Sequence, residues 1–116
     1  MQPKTPAHLW DALDAASKSL AAVTDLGREE YLNDWIRRAA VERQIEIIGE
    51  ALNRVRRDDA ATADRIPDIH AIIATRNVII HRYADVDHER VWAMLSDDIP
   101  VLIATLSSLL DEADHE

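Results

Sequence analysis

Apolar residues recur along this chain at helical intervals almost from its start. Leu9, Leu13, Ala16, Leu20 and Val23 step by four and three residues, the spacing of one amphipathic helix face, and Gly27 comes after them as a stop. A second helix is predicted from about Glu29 to about Arg57, and its apolar face changes on the way. Leu32, Trp35, Ile36 and Ala39 share one side. Val41, Ile45, Ile48, Leu52 and Val55 share nearly the opposite side at about 100° per residue. Either this helix kinks near Ala40, or it touches two surfaces, one of which a second copy of the chain could supply. Polar residues from Arg56 to Asp64 make the next connection. Pro67 suits the first turn of a third helix with Ile66, Ile69, Ile73 and Ile80 on one face. Asp85 or Asp87 can cap a fourth helix carrying Trp92, Leu95, Ile99, Leu102, Leu106 and Leu109. Pro100 should kink that helix, because proline lacks the N–H and its ring clashes with the preceding turn. The acidic tail from about Asp111 is expected to fray.

Four helices with short connections predict an all-α, up-and-down four-helix bundle with a kinked last helix, a single domain over residues 1–116. Two glycines and four prolines leave too little punctuation for a hairpin-rich β protein. The lack of cysteine removes disulfide frameworks and thiolate metal sites. The N-terminus has no long apolar signal core and no stretch approaches a membrane span, so a cytoplasmic chain with no membrane partner is expected. A formal net charge of −9 argues against a tight, sequence-independent nucleic-acid binder, which advertises a basic face. It leaves room for a nuclease, whose turnover needs only a local cationic site such as Arg76 and Arg82 would supply.

Arg76 is the odd residue of the third helix. By helical angle it sits within the isoleucine stripe, where a guanidinium is costly unless paired. Asn77 and His81 are four apart and neighbours along one edge of that stripe. Arg76 and His81 are five apart, about 140° around an ideal helix, so a regular helix cannot aim both at one substrate atom. Either the helix ends near Ile80 and the chain turns, or the two residues meet counterparts from a second chain. A plainer reading has Arg76 pairing with Glu46 or Glu50 and the polar residues meeting the helix C-terminus. His70 lies on the edge of Asn77, where a solvated or core-edge role is expected. His8, His88 and His115 fall near helix ends or the tail and read as surface residues. No HExxH, EF-hand, P-loop or Rossmann pattern occurs, so no metal site or cofactor is indicated. Glu42, Glu46 and Glu50, at four-residue intervals, read as a solvated face.

The string Arg76-Asn77-Val78-Ile79-Ile80-His81-Arg82-Tyr83 is similar to the R-x4-H-x-Y motif of the HepT-like toxins in the HEPN superfamily. Upstream, Glu46-Ile47-Ile48-Gly49-Glu50-Ala51 resembles that family's second-helix signature, and Asp85-Val86-Asp87 resembles the segment after the family's tyrosine. The likeness spans nearly the whole chain. It implies a bundle that forms a homodimer with the two motifs at a shared cleft. It also implies a metal-independent endoribonuclease, in which His81 acts as general base or acid, Arg76 stabilises the phosphorane charge and Asn77 orients the phosphate or the imidazole. The implied partner is an MNT-type nucleotidyltransferase antitoxin of a type VII system, which uses ATP to place AMP on Tyr83, while the chain itself needs no cofactor. The competing reading is a non-catalytic helical subunit that binds nucleotide or substrate for a nucleotidyltransferase, and the acidic charge suits it better.

Overall fold

The stripe of the first helix does become buried, but the helix is shifted towards the N-terminus. A computed structural model describes residues 1–115 and places α1 at Thr5–Ala21, with Pro6 in its first turn where a missing N–H costs nothing. Leu9, Ala12 and Ala16 are fully buried, with Leu13 and Leu20 packed at the margin. Gly27 does not end α1. The chain leaves the helix at Ala22, and Gly27 instead precedes a short helix α2, Arg28–Leu32, where the Glu30 side chain accepts from its backbone N–H.

The predicted second helix is therefore two helices, and the break falls at Asn33–Asp34 rather than near Ala40. Asp34 caps α3, Trp35–Asp58, by accepting from the Arg37 N–H at 3.1 Å. Beyond that break α3 runs unbroken for 24 residues, so its two apolar faces do meet two surroundings. Val41, Ile45, Ile48, Leu52 and Val55 are buried against α1 and α5, whereas Trp35 and Ile36 stay 69% and 62% exposed.

Asp59 closes α3 and begins a one-turn helix α4, Ala60–Ala63. Its carboxylate accepts from Gln2 N, Thr5 Oγ1, Thr62 N and Thr62 Oγ1, which ties the start of α1 to the end of α3 and makes those helices antiparallel. Burial alone would raise this carboxyl; the four donors overcome it and hold the pKa at about 2. Pro67 lies just before α5, Ile69–His81, rather than inside its first turn. The residue between, Asp68, has φ 60°, a left-handed conformation unusual for a side-chain-bearing residue.

A 3₁₀ turn, Tyr83–Asp85, links α5 to α6, His88–Asp97, which Asp87 caps through the N–H groups of Glu89 and Arg90. The chain then bends by 45° into α7, Ile99–Asp114, with Pro100 in the first turn. The expected kink is thus a clean start of a new helix. The tail does not fray at Asp111: α7 continues to Asp114, and Arg65 clasps Glu112 through two hydrogen bonds of 2.8 and 2.7 Å. Glu116, the last residue of that tail, lies outside the described residues. Ile99, Leu102, Leu106 and Leu109 of α7, which packs on α1, and Leu95 of α6 close the core, each contributing roughly 2 kcal/mol by burial. No single helix among the described residues is long and apolar enough to cross a membrane, and the bent α6–α7 pair spends its apolar face on this core. All-α packing of α1, α3, α5 and α6–α7 gives the expected bundle of four main limbs.

Candidate active site

The second-helix signature and the third-helix arginine meet at a place with almost no space. A Cβ added to Gly49 of α3 would lie 2.4 Å from both Cβ and Cγ of Arg76 and 3.1 Å from its Cδ. Only glycine leaves the slot into which the aliphatic stem of Arg76 fits, and this close approach brings the guanidinium beside the next residue along α3. Arg76 Nη2 donates to Glu50 Oε2 at 2.7 Å and Nη1 donates to Asn77 Oδ1 at 3.0 Å. Glu50 also accepts from Arg54 Nε at 3.2 Å, so one carboxylate holds two guanidiniums. Of the two pairings open to Arg76, the structure selects Glu50; Glu46 pairs with Arg43. The Arg76 side chain is only 18% exposed, and its buried Nε has no hydrogen-bond partner among the described residues.

What remains exposed of Arg76 opens onto a groove of ≈ 440 Å³ over the outer face of α3. Its walls include His8, Asp11 and Asp14 of α1, Glu46 and Ile47 of α3, and Ile80 of α5. Among the described residues no group of three or more histidine, aspartate or glutamate side chains is arranged to hold a metal ion; of the groove carboxylates, Glu46 and Glu50 pair with arginines and Asp14 with Lys18.

His81 is the last residue of α5 and is exposed, as is Asn77 one turn before it. Because α5 stays regular through His81, Arg76 and His81 keep their separation of about 140° around and about 7.5 Å along the axis. The chain does turn, one residue later than Ile80: Arg82 caps the helix by donating its N–H to Val78 O at 2.8 Å. The turn carries Tyr83 outward, 65% exposed, while Tyr31, the other tyrosine, is completely buried against Trp92. Within one chain the structure therefore unites Arg76 and Asn77 and leaves His81 and Tyr83 on a neighbouring rim. His70 is exposed and lies beside Arg56.

Two glutamates that sequence spacing grouped together have parted. Glu50 is half-exposed at the groove, whereas Glu42 is buried among Tyr31, Arg38 and His88. Glu42 is thus no part of a solvated face, and His88 is only 34% exposed, its Nδ1 3.6 Å from Glu42 Oε1. Burial drives the Glu42 carboxyl up, with Arg38 opposing and Glu46 assisting. Burial drives the His88 imidazole down, helped by Arg38 and opposed by Asp87. Burial, together with Glu42, pushes the Tyr31 phenol above its ordinary range. This knot fastens α2 and α3 to the start of α6, directly after the turn that carries Tyr83.

Comparison with known proteins shows what the chain as a whole is similar to. The family described as "Ribonuclease HepT-like" matches residues 12–109. A protein of Methanocaldococcus jannaschii, "Putative RNase MJ1380", is 31% identical over 94 residues, covering 81% of this chain and 85% of the relative. "Probable ribonuclease HepT" of Thermococcus cleftensis is 30% identical over 96 residues, covering 79% of this chain and 86% of the relative. No solved structure gives a significant match.

Proposed function

The chain belongs to the HepT-like ribonuclease family, and from that premise we propose that it is the toxin of a type VII (HEPN/MNT) pair, a metal-independent endoribonuclease working as a homodimer. The observation that carries this reading is the split arrangement on α5: a guanidinium locked at a groove and an imidazole free at the helix end. The ribose 2′-oxygen attacks the adjacent phosphorus while the P–O5′ bond breaks, leaving a 2′,3′-cyclic phosphate and a 5′-hydroxyl. Imidazole can take or give a proton at physiological pH, so His81 removes the 2′-OH proton or protonates the departing 5′-oxygen. Arg76 is a donor-only group that spreads its charge over the phosphorane oxygens, and Asn77 positions it.

A second copy would resolve the angle between Arg76 and His81. Trp35 and Ile36 leave an apolar patch on the outer face of α3, the helix that floors the groove, and a two-fold pairing there would bring two motif edges to one cleft. Light scattering at micromolar concentration should give twice 13.1 kDa, and Trp35→Glu should return a monomer without cleavage activity. The partner in this reading is the nucleotidyltransferase antitoxin, and Tyr83 is its target because the only other tyrosine is fully buried. AMP on Tyr83 would put phosphate charge and an adenosine two residues from His81. Co-expression with the partner and intact mass measurement should show added AMP that Tyr83→Phe removes.

The net charge of −9 and the carboxylates of the groove favour the competing reading, a non-catalytic subunit of a nucleotidyltransferase complex. Purified chain incubated with RNA and a chelator decides between them. Cyclic-phosphate ends that disappear in His81→Ala support the nuclease; intact RNA supports the subunit.

A further inference from the structure

Three surfaces flank α5, and they differ in charge. The groove over α3 holds Asp11, Asp14, Glu46 and Glu50, and its arginines are committed to Glu46 and Glu50. On the opposite flank, a cavity of ≈ 430 Å³ between α5 and α6 sets Asp85, Asp87, Asp97 and Asp98 against Arg90. The third surface is the outer edge of α5. His70, Ala74, Asn77 and His81 fall within about 60° of one another there, and all four are exposed.

Two cations without a carboxylate partner stand at the ends of this edge. Among the described residues seven arginines pair with carboxylates. Arg38, Arg56, Arg82 and Arg90 do not; Arg82 caps the His81 end through its backbone, and Arg56 of α3 reaches the His70 end. Arg56 is not loose. Its Nη2 donates to Asn53 Oδ1 at 2.6 Å, and its Nη1 lies 3.4 Å from His70 Nδ1. A guanidinium can only donate, so His70 Nδ1 is the acceptor and the imidazole proton sits on Nε2. The result is a guanidinium and an N–H donor side by side, oriented by an amide, a pair of donors suited to a phosphate.

We propose that Arg56 and His70, held by Asn53, form a phosphate-binding subsite for a single-stranded RNA backbone lying along the α5 edge towards His81. The subsite rests on the ribonuclease reading for its purpose. Eleven helical steps lead from His70 to His81, about 16 Å, so the phosphate held there belongs to a nucleotide a few positions from the bond that breaks. Cleavage of a dinucleotide ignores the subsite; a longer strand uses it. This also explains how a chain of net charge −9 takes a polyanion, by one short basic edge between two acidic flanks.

The test measures binding and cleavage separately on the full chain. Binding uses a 2′-O-methyl oligonucleotide, which lacks the attacking hydroxyl, long enough to span the α5 edge. The double variant Arg56→Ala/His70→Ala should weaken binding about fivefold and lower the salt slope by about one, since exposed charge pairs are worth modest amounts. Arg56→Lys should restore most of the salt slope as a point charge. For cleavage of unmodified RNA, the double variant should raise KM for the long strand, leave kcat unchanged, and leave the dinucleotide reaction untouched. Unchanged affinity and salt slope would overturn the subsite, as would a wild-type chain that binds no oligonucleotide or binds only duplex. A wild-type chain that binds the oligonucleotide through Arg56 yet cleaves no RNA removes the nuclease reading and leaves the subsite standing.

Discussion

Arg76 and His81 stand five residues apart on one helix and are held in opposite ways. Arg76 is fixed by what surrounds it: a glycine slot for its stem, a shared carboxylate for its head, and an amide from the next residue. His81 sits exposed at the last turn. The difference teaches that one helix can mix a residue whose identity packing dictates with one that packing leaves free. Loss of activity at the two positions therefore has different meanings.

The largest expected effect separates them. His81→Ala should lower RNA cleavage by about 10²–10⁴-fold, the usual value of a positioned acid–base group, with an unchanged thermal midpoint. Arg76→Ala should lose cleavage to a similar degree and also about 2 kcal/mol of stability, because it empties the slot and strips Glu50 of a partner. Calorimetry beside the cleavage assay checks both; equal midpoints for the two variants would erase the contrast.

A subtler break is Gly49→Ala. The added methyl meets Arg76 Cβ and Cγ at 2.4 Å, an overlap that only backbone movement relieves. About 1–3 kcal/mol of stability should be lost, as is usual for overpacking, and cleavage should fall with it although His81 is untouched. Asp59 supplies the control for mere destabilisation. Its folded pKa of about 2 lies below the ordinary aspartate value of about 3.9, so its contribution of about 2 kcal/mol is present above pH ~4 and is lost as pH falls through ~2. Asp59→Asn should remove that acid-dependent slope in unfolding experiments while leaving cleavage at permissive temperature intact. The smallest effect belongs to Tyr83→Phe, which should move stability by less than about 0.5 kcal/mol, as expected for an exposed position.

Where periodicity carried structural information, the sequence was readable. The stripes of α1, α3 and α7 lie in the core, and the proline at position 100 marks a real change of direction. The break at Asn33–Asp34 was hidden because Leu32, Trp35 and Ile36 continue an apolar rhythm across it; the cap signal in Asp34 was the better guide. Charge spacing misled at Glu42, since a four-residue interval cannot reveal that α2 and α6 cover one glutamate and leave its neighbours at the surface. At the site, angle alone placed Arg76 inward and named Glu50 among its partners. The slot at Gly49 was not legible, because a glycine within a helix declares its purpose only when the opposing side chain is known. Nor could the sequence foresee Arg56 beside His70, which depends on the register of two antiparallel helices.

Asp68 gives the molecule an adjustable margin. It begins the helix that bears every motif residue up to His81, in a left-handed conformation that costs a side-chain-bearing residue about 1–2 kcal/mol. Burial pushes the carboxyl of Asp98 up, and the charge of Asp68 adds to that push. Replacing Asp68 by asparagine keeps a side chain that tolerates this conformation and removes the repulsion across to Asp98. The same chain would then start α5 from a less burdened foothold, without a change at the groove or the outer edge. A shift in thermal midpoint on Asp68→Asn would read that repulsion by itself, with Gly49, Arg76 and the outer edge of α5 unaltered.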